Sequence, residues 1–277
     1  VLNDELGKNF GECAYRKRFK AFRAGMQYQE SLSNRDVGTC ILSISDLHIP
    51  FQKPIETFGE YAGKIDILQV NGDLVDAQAI SRFNKVYRKS PMEEILIARQ
   101  YMIDLIEMLQ PKKVVVNYGN LELWPKTSLE LIFVDGFNHY NKELHTKVHY
   151  DPLIDVFKDS GIEIVYNDTW FSFVGETIFV HPLAYSSGML KTAEKAYRYF
   201  KDNDYFFDTI VMAHTHKTGH YDIGNSVIYE QGCCCETSKM DYADGKLTPS
   251  QREGFILVYQ DKFGRLNEDK THIVRLN

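Results

Sequence analysis

The 277-residue chain is 44% hydrophobic, enough for a sizeable core in one domain with an appendage. A net charge of -6 excludes a generally basic nucleic-acid coat but leaves room for a local basic groove. No apolar run approaches the roughly 20 residues of a membrane helix. With no signal-peptide pattern, and with Val1 rather than Met in first place, the sequence reads as a fragment or processed form of a cytoplasmic protein.

Residues 1–36 stand apart as a basic helical segment, followed by a main domain over 37–277. In "YRKRFKAFRAGM", Tyr15, Phe19, Phe22 and Met26 form a helical stripe, with Arg16, Lys17, Arg18, Lys20 and Arg23 on the other face. The plain reading is a docked helix with a solvated face; the functional one is a nucleic-acid or partner contact. From Thr39 onward, short apolar runs appear: "TCILSIS", "IDILQV" (65–70) and "KVVVNY" (113–118). Between the last two, a helix starts at Pro91 and stops before Pro111, with Ile95, Met102, Ile106 and Leu109 as its apolar stripe. Alternation of strand and helix predicts an α/β domain. Further strands are expected at 162–166, 169–174, 177–181, 208–213, 226–231, 254–259 and 271–276. Asn167-Asp168 and Gly175-Glu176 are turn-length gaps that suggest hairpins. Residues 183–205 look mainly helical. Of the five cysteines, Cys233, Cys234 and Cys235 are adjacent and lack Cys-x-x-Cys spacing, so they read as reduced, buried or loop thiols.

Chemistry-bearing residues gather at strand ends. "ISDLHIP" supplies Asp46 and His48, "VNGDLVDA" Asp73 and Asp76, "NYGNLE" Asn120, "IFVHP" His181, and "VMAHTHKTG" His214 and His216. In α/β sheets, sites assemble at the carboxyl ends of strands. A mixed nitrogen and oxygen set without thiolate argues against a closed structural zinc site. Asp46, His48, Asp73, Asn120, His181, His214 and His216 are more donors than one ion takes while keeping an open position. They suit two ions that share a bridging carboxylate, an arrangement able to activate water and clamp a phosphoryl group.

The ordered set "DLH", "GDLVD", "GNLE", "VHP" and "AHTH" resembles the calcineurin-like metallophosphoesterase superfamily over about residues 39–277. The N-terminal segment joined to this domain also resembles phage and prophage phosphoesterases. The superfamily resemblance implies a four-layer αββα sandwich of two mixed sheets flanked by helices. It implies a binuclear centre of two divalent ions, Mn2+ foremost, with Fe, Zn or Ni as alternatives. One ion would be held by Asp46, His48 and His216, the other by Asn120, His181 and His214, with Asp73 between them. It implies a metal-dependent phosphoester hydrolase working by metal-activated water attack.

Two positions depart from the family pattern. Ala213 replaces the Gly before His-x-His, and Leu121 stands where the family has a His that protonates the leaving group or stabilises the transition state. The family's second Asp, here Asp76, orients that His, so Asp76 is expected either to lack its partner or to serve a structural job such as capping. His139, His145 and His149 lie in the insert "NHYNKELHTKVHY", read as a surface element or a substrate-side lid. In "SRFNKVYRKSP", Arg82 and Lys85 alternate with aromatics; the segment reads either as a solvated loop or as a contact that makes a nucleic acid or nucleotide a plausible phosphodiester substrate. A phosphomonoesterase or protein phosphatase is the alternative within the enzyme class. A metal-loaded, catalytically weak module that binds a phosphorylated ligand is the alternative outside it.

Overall fold

Period-two alternation within the strands sets the layers of this chain. The computed structural model describes residues 38–78, 89–119, 153–167, 169–240 and 251–276. The N-terminal stripe, Arg82, Lys85, Asn120, Leu121 and the histidine-bearing insert lie outside the described residues.

The first sheet has the strand order β11-β10-β1-β2-β3-β4. Its parallel part is β1 (Thr39–Ile44), β2 (Ile67–Asn71), β3 (Lys113–Asn117) and β4 (Glu163–Asn167). β10 (Gly254–Gln260) and β11 (His272–Arg275) continue it antiparallel. The second sheet has the order β5-β6-β7-β9-β8, from β5 (Phe171–Val174), β6 (Thr177–Val180), β7 (Thr209–Met212), β8 (Thr218–Ile223) and β9 (Ser226–Gln231). In it, β6, β7 and β9 run parallel, with an antiparallel strand at each edge.

Successive side chains on a strand face opposite ways. Leu42 and Ile44 of β1 therefore join Leu68, Val70, Val114 and Val116 on the outer face of the first sheet. There they pack against α1 (Pro91–Leu109) and α2 (Leu153–Phe157). Ile41 turns the other way and meets Phe179, Val211, Tyr229, Ile256 and Val258 between the sheets. On the far side of the second sheet, Ile178, Val180, Ile210, Met212 and Ile228 pack against Ala193, Ala196 and Phe200 of α3 (Lys191–Asp202). The result is two mixed sheets flanked by helices, the four-layer order expected from sequence.

The predicted helix boundaries hold at α1, where Ser90 adds a capping box: its hydroxyl accepts from the Glu93 N–H, and Glu93 accepts from the Ser90 N–H. The expectations differ from the structure in three places. Asn167-Asp168 is not a hairpin turn, because β4 and β5 belong to different sheets. The Gly175-Glu176 hairpin does form, with Val174 paired to Thr177. The helix expected over 183–205 begins only at Lys191, after an irregular segment containing Ser186, Ser187 and Gly188. Finally, β8 was not expected: it is an edge strand whose outward positions are polar, so it carries no apolar run.

Candidate metal centre

Parallel strands place their carboxyl ends together, and both sheets do so at the same end of the sandwich. Asp46 and His48 follow β1, Asp73 and Asp76 follow β2, His181 follows β6, and His214 and His216 follow β7. Backbone hydrogen bonds tie these loops to one another. Asp46 N–H donates to Gly72 O (3.1 Å), His48 N–H to Asp73 O (3.1 Å), and Ala213 N–H to Val180 O (3.0 Å). The His214 N–H donates to Asp46 Oδ2 (3.1 Å), joining the two sheets.

The backbone at the site is held in an unusual conformation. Among the described residues, nine non-glycine positions have positive φ; five of them are Asp46, His48, Asp73, His214 and His216. Left-handed backbone costs a residue with a Cβ about 1–2 kcal/mol, and such strain clusters at functional sites. Gly72, at φ +81, is needed for close approach as well. A Cβ there would lie 2.5 Å from His181 Nδ1 and 2.6 Å from Gly119 Cα.

The side chains form two groups. In the first, His216 Nε2 lies 3.1 Å from Asp46 Oδ1 and 3.1 Å from His48 Nε2. The donor atoms of Asp46, His48 and His216 all lie within 4.8 Å of one another, close enough that the three residues could hold one cation. In the second group, Asp73, His181 and His214 bring one donor atom each within 4.8 Å of one another. His181 Nε2 is 3.4 Å from Asp73 Oδ2, which in turn is 3.9 Å from His48 Nε2. Asp73 thus faces both groups. All of these side chains are buried except that of His214, which is half-buried.

Outer contacts aim the rings. His181 Nδ1 lies 2.7 Å from the carbonyl of Asn71, which can only accept; Nδ1 is the donor, so Nε2 faces Asp73 and is the nitrogen that could hold an ion once it gives up its proton. Asn71 belongs to a ladder that the sequence reading did not single out. Its Nδ2 donates to Val180 O and Val211 O, Asn117 Nδ2 donates to Asn71 Oδ1 and Phe179 O, and Asn167 Nδ2 donates to Asn117 Oδ1. The available signal was that β2, β3 and β4 each end in Asn. Asp76 Oδ1 lies 3.2 Å from His48 Nδ1.

Electrostatics follows from this crowding. Burial alone would raise the Asp46 carboxyl, but His181, His216 and His48 outweigh it and hold Asp46 well below the usual carboxylate range. Asp73 is also lowered, against burial, chiefly by His181. His181 is raised to about 9, because Asp73 and Asp46 overcome the burial that pulls it down. His214 falls to about 4 through burial and the charge of His181. Ionised carboxylates beside imidazoles that give up a proton on ligation make a donor set suited to divalent cations.

Around the mouth, Tyr185 is half exposed and its ring stands 6.1 Å from that of His214. Lys217 is buried, with Nζ donating to the carbonyls of Ser186, Ser187 and Gly188, so its charge fastens the loop after His181. His220 stacks on Tyr229 on the edge strand pair β8–β9. Ala213, in place of the family's Gly, is buried. No helix among the described residues is long and apolar enough to cross a membrane.

Comparisons with known proteins agree with this frame. Residues 41–218 match the family model for calcineurin-like phosphoesterases, and residues 1–34 match that of the YonJ N-terminal domain. No curated protein sequence matches the chain. Among solved structures, the chain is similar to Vacuolar Protein Sorting 29 from Cryptosporidium parvum at 16% identity and TM-score 0.42, covering 87% of this chain and 100% of that one. It is similar to an archaeal phosphodiesterase at 16% identity and TM-score 0.42, covering 86% and 100%. A zinc complex of Vps29 from Entamoeba histolytica gives 14%, 0.41, and 86% and 98% coverage. Likenesses at this level carry no inference about activity. The family model spans well over half of the sequence, and its members are in general metal-dependent phosphoester hydrolases. The chain belongs to the calcineurin-like phosphoesterase family.

Proposed function

We propose that the chain is a two-metal phosphodiesterase acting on a nucleic acid or nucleotide. The observation that carries the two-metal reading is Asp73, whose Oδ2 faces His181 Nε2 at 3.4 Å and His48 Nε2 at 3.9 Å. Asp46, His48 and His216 would hold one ion; His181, His214 and Asn120 the other, with Asp73 shared. When bound, Mn2+ or a similar ion supplies Lewis acidity toward a phosphoryl oxygen and makes water a stronger nucleophile at neutral pH.

The protein's own part is to hold charge and aim. Asp46 and Asp73 stay ionised through neutral pH. The Asn71 carbonyl fixes the His181 ring, and Asp76 braces that of His48. Leu121 cannot donate a proton, so the leaving group must take one from solvent. General acid catalysis contributes about 10²–10⁴-fold, so aryl esters should be the best substrates. The nucleotide class is supported by Arg82 and Lys85 among aromatics, and by exposed Tyr185 beside His214, a surface on which a base can stack.

Leu121 also favours a second reading, a metal-loaded module that binds a phosphorylated ligand with little turnover. Hydrolysis of bis-p-nitrophenyl phosphate against p-nitrophenyl phosphate under added Mn2+ separates the readings. Preference for the diester supports the phosphodiesterase; preference for the monoester sinks it. Metal uptake with no hydrolysis of either supports the binding module. A steep fall of oligonucleotide binding with salt supports a polynucleotide substrate.

A further inference from the structure

Cys233 and Cys235 are a buried nucleophilic pair that the phosphoester chemistry does not use. Both follow β9, each in an isolated bridge on either side of a bend at Cys234, Cys233 with Glu253 and Cys235 with Gln52. Cys234 packs into the helix-covered core of the first sheet, while Cys233 and Cys235 pack with Met240 and Phe51. The segment is fixed: Cys233 N–H donates to Arg252 O (3.1 Å) and Cys234 N–H to Ser45 O (2.9 Å). His216 is tied to the same strut, since Arg252 N–H donates to His216 O (2.7 Å).

His216, Cys233 and Cys235, all buried, bring one donor atom each within 4.8 Å of one another. Met240 Sδ lies 3.3 Å from Cys235 Sγ. Sulfurs bound tetrahedrally to one ion at about 2.3 Å stand about 3.8 Å apart, so small side-chain adjustments suffice to close the set. Two thiols, a thioether and an imidazole are soft donors, whereas Asp46, His48 and Asp73 offer carboxylate oxygen and imidazole.

We propose that Cys233, Cys235 and His216, with the Met240 thioether beside them, form a second site that takes a thiophilic cation of the Zn2+ and Cd2+ class and shares His216 with the carboxylate-lined centre. The Cys-x-x-Cys rule misses such a site because the pair is spaced Cys-x-Cys and its third donor follows β7, far away in the sequence. The sulfur site stands whether or not the phosphodiesterase reading holds.

Cd2+ titration of the reduced, metal-free full chain tests it. One equivalent should raise a thiolate-to-metal charge-transfer band and give two sulfur neighbours, or three where the Met240 thioether joins, in the Cd absorption-edge spectrum of the parent protein. The band should be lost in Cys233→Ser and in Cys235→Ser and retained in Asp73→Asn, whose missing carboxylate lies in the other group. A parent spectrum with only nitrogen and oxygen neighbours overturns the proposal. So does a band that survives both serine substitutions. The parent spectrum decides the matter even if a serine variant does not fold.

Discussion

Asp76 Oδ1 stands 3.2 Å from Nδ1 of His48, and both side chains are buried. The contact lies off the line of a straight hydrogen bond, so it acts through charge and proximity. Burial pulls the His48 pKa down, but Asp76 and Asp73 outweigh it and raise the pKa above the usual imidazole range. From sequence, Asp76 was expected either to lack the His that it orients in the family, whose place Leu121 takes, or to serve a structural job such as capping. The structure sets Asp76 beside a different ring. Outer partners of metal-binding histidines are typically worth 10–100-fold in metal affinity. Asp76→Asn should therefore weaken Mn2+ binding by about that factor with the fold intact, as calorimetry and circular dichroism would show. An unchanged affinity would mean that Asp76 does not brace His48.

Leu121→His would place a proton donor next to Asn120 in the sequence. Turnover of alkyl phosphodiesters should rise by about 10²–10⁴-fold, and that of p-nitrophenyl diesters much less, because their leaving group needs little protonation. Equal gains on both substrates would indicate that the residue at 121 acts on binding or on the metals instead.

Without metal, stability should peak near neutral pH. His181 has a folded pKa of about 9, above the roughly 6.5 of an unfolded His. Its contribution is fully present below 6.5 and is lost as pH rises through 9, on the order of 3 kcal/mol. His214 works in the other direction. Its folded pKa of about 4 means that its contribution is present above 6.5 and is lost as pH falls toward 4. The lowered carboxylates Asp46 and Asp73 add to that acid loss below their unfolded pKa of roughly 3.9. Thermal unfolding of the metal-free protein from pH 4 to pH 10 checks this; a melting temperature still rising between pH 7 and 9.5 would contradict it. Over the same range Mn2+ should bind more tightly as pH rises, since it displaces the His181 proton.

Much of this was legible in the sequence, for physical reasons. β1, β2 and β3 show as apolar runs because they are buried on both faces, and the donors show because each follows such a run. Contacts between distant segments left little or no local trace. β8 is a polar edge strand, Asn167 ends a strand where a turn was expected, and the Asn71–Asn117–Asn167 ladder exists only once β2, β3 and β4 are in register. That ladder yields its own prediction. Asn71→Ala removes three buried hydrogen bonds, from its Nδ2 to Val180 O and Val211 O and from Asn117 Nδ2 to its Oδ1, each worth about 0.5–1.5 kcal/mol. Urea unfolding should show a loss of at least about 2 kcal/mol, and a loss below about 0.5 kcal/mol would show that the ladder does not fasten the sheets.

Asp73 lies between two side-chain groups that would each hold an ion, so its carboxylate would serve both. Metal analysis of the Mn2+-loaded chain, combined with electron paramagnetic resonance, tests it most directly. The parent should hold two Mn2+ per chain with the spectrum of an exchange-coupled pair, and Asp73→Asn should lose the coupling. One uncoupled Mn2+ per chain, or a coupled pair that persists without the Asp73 carboxylate, would contradict the account.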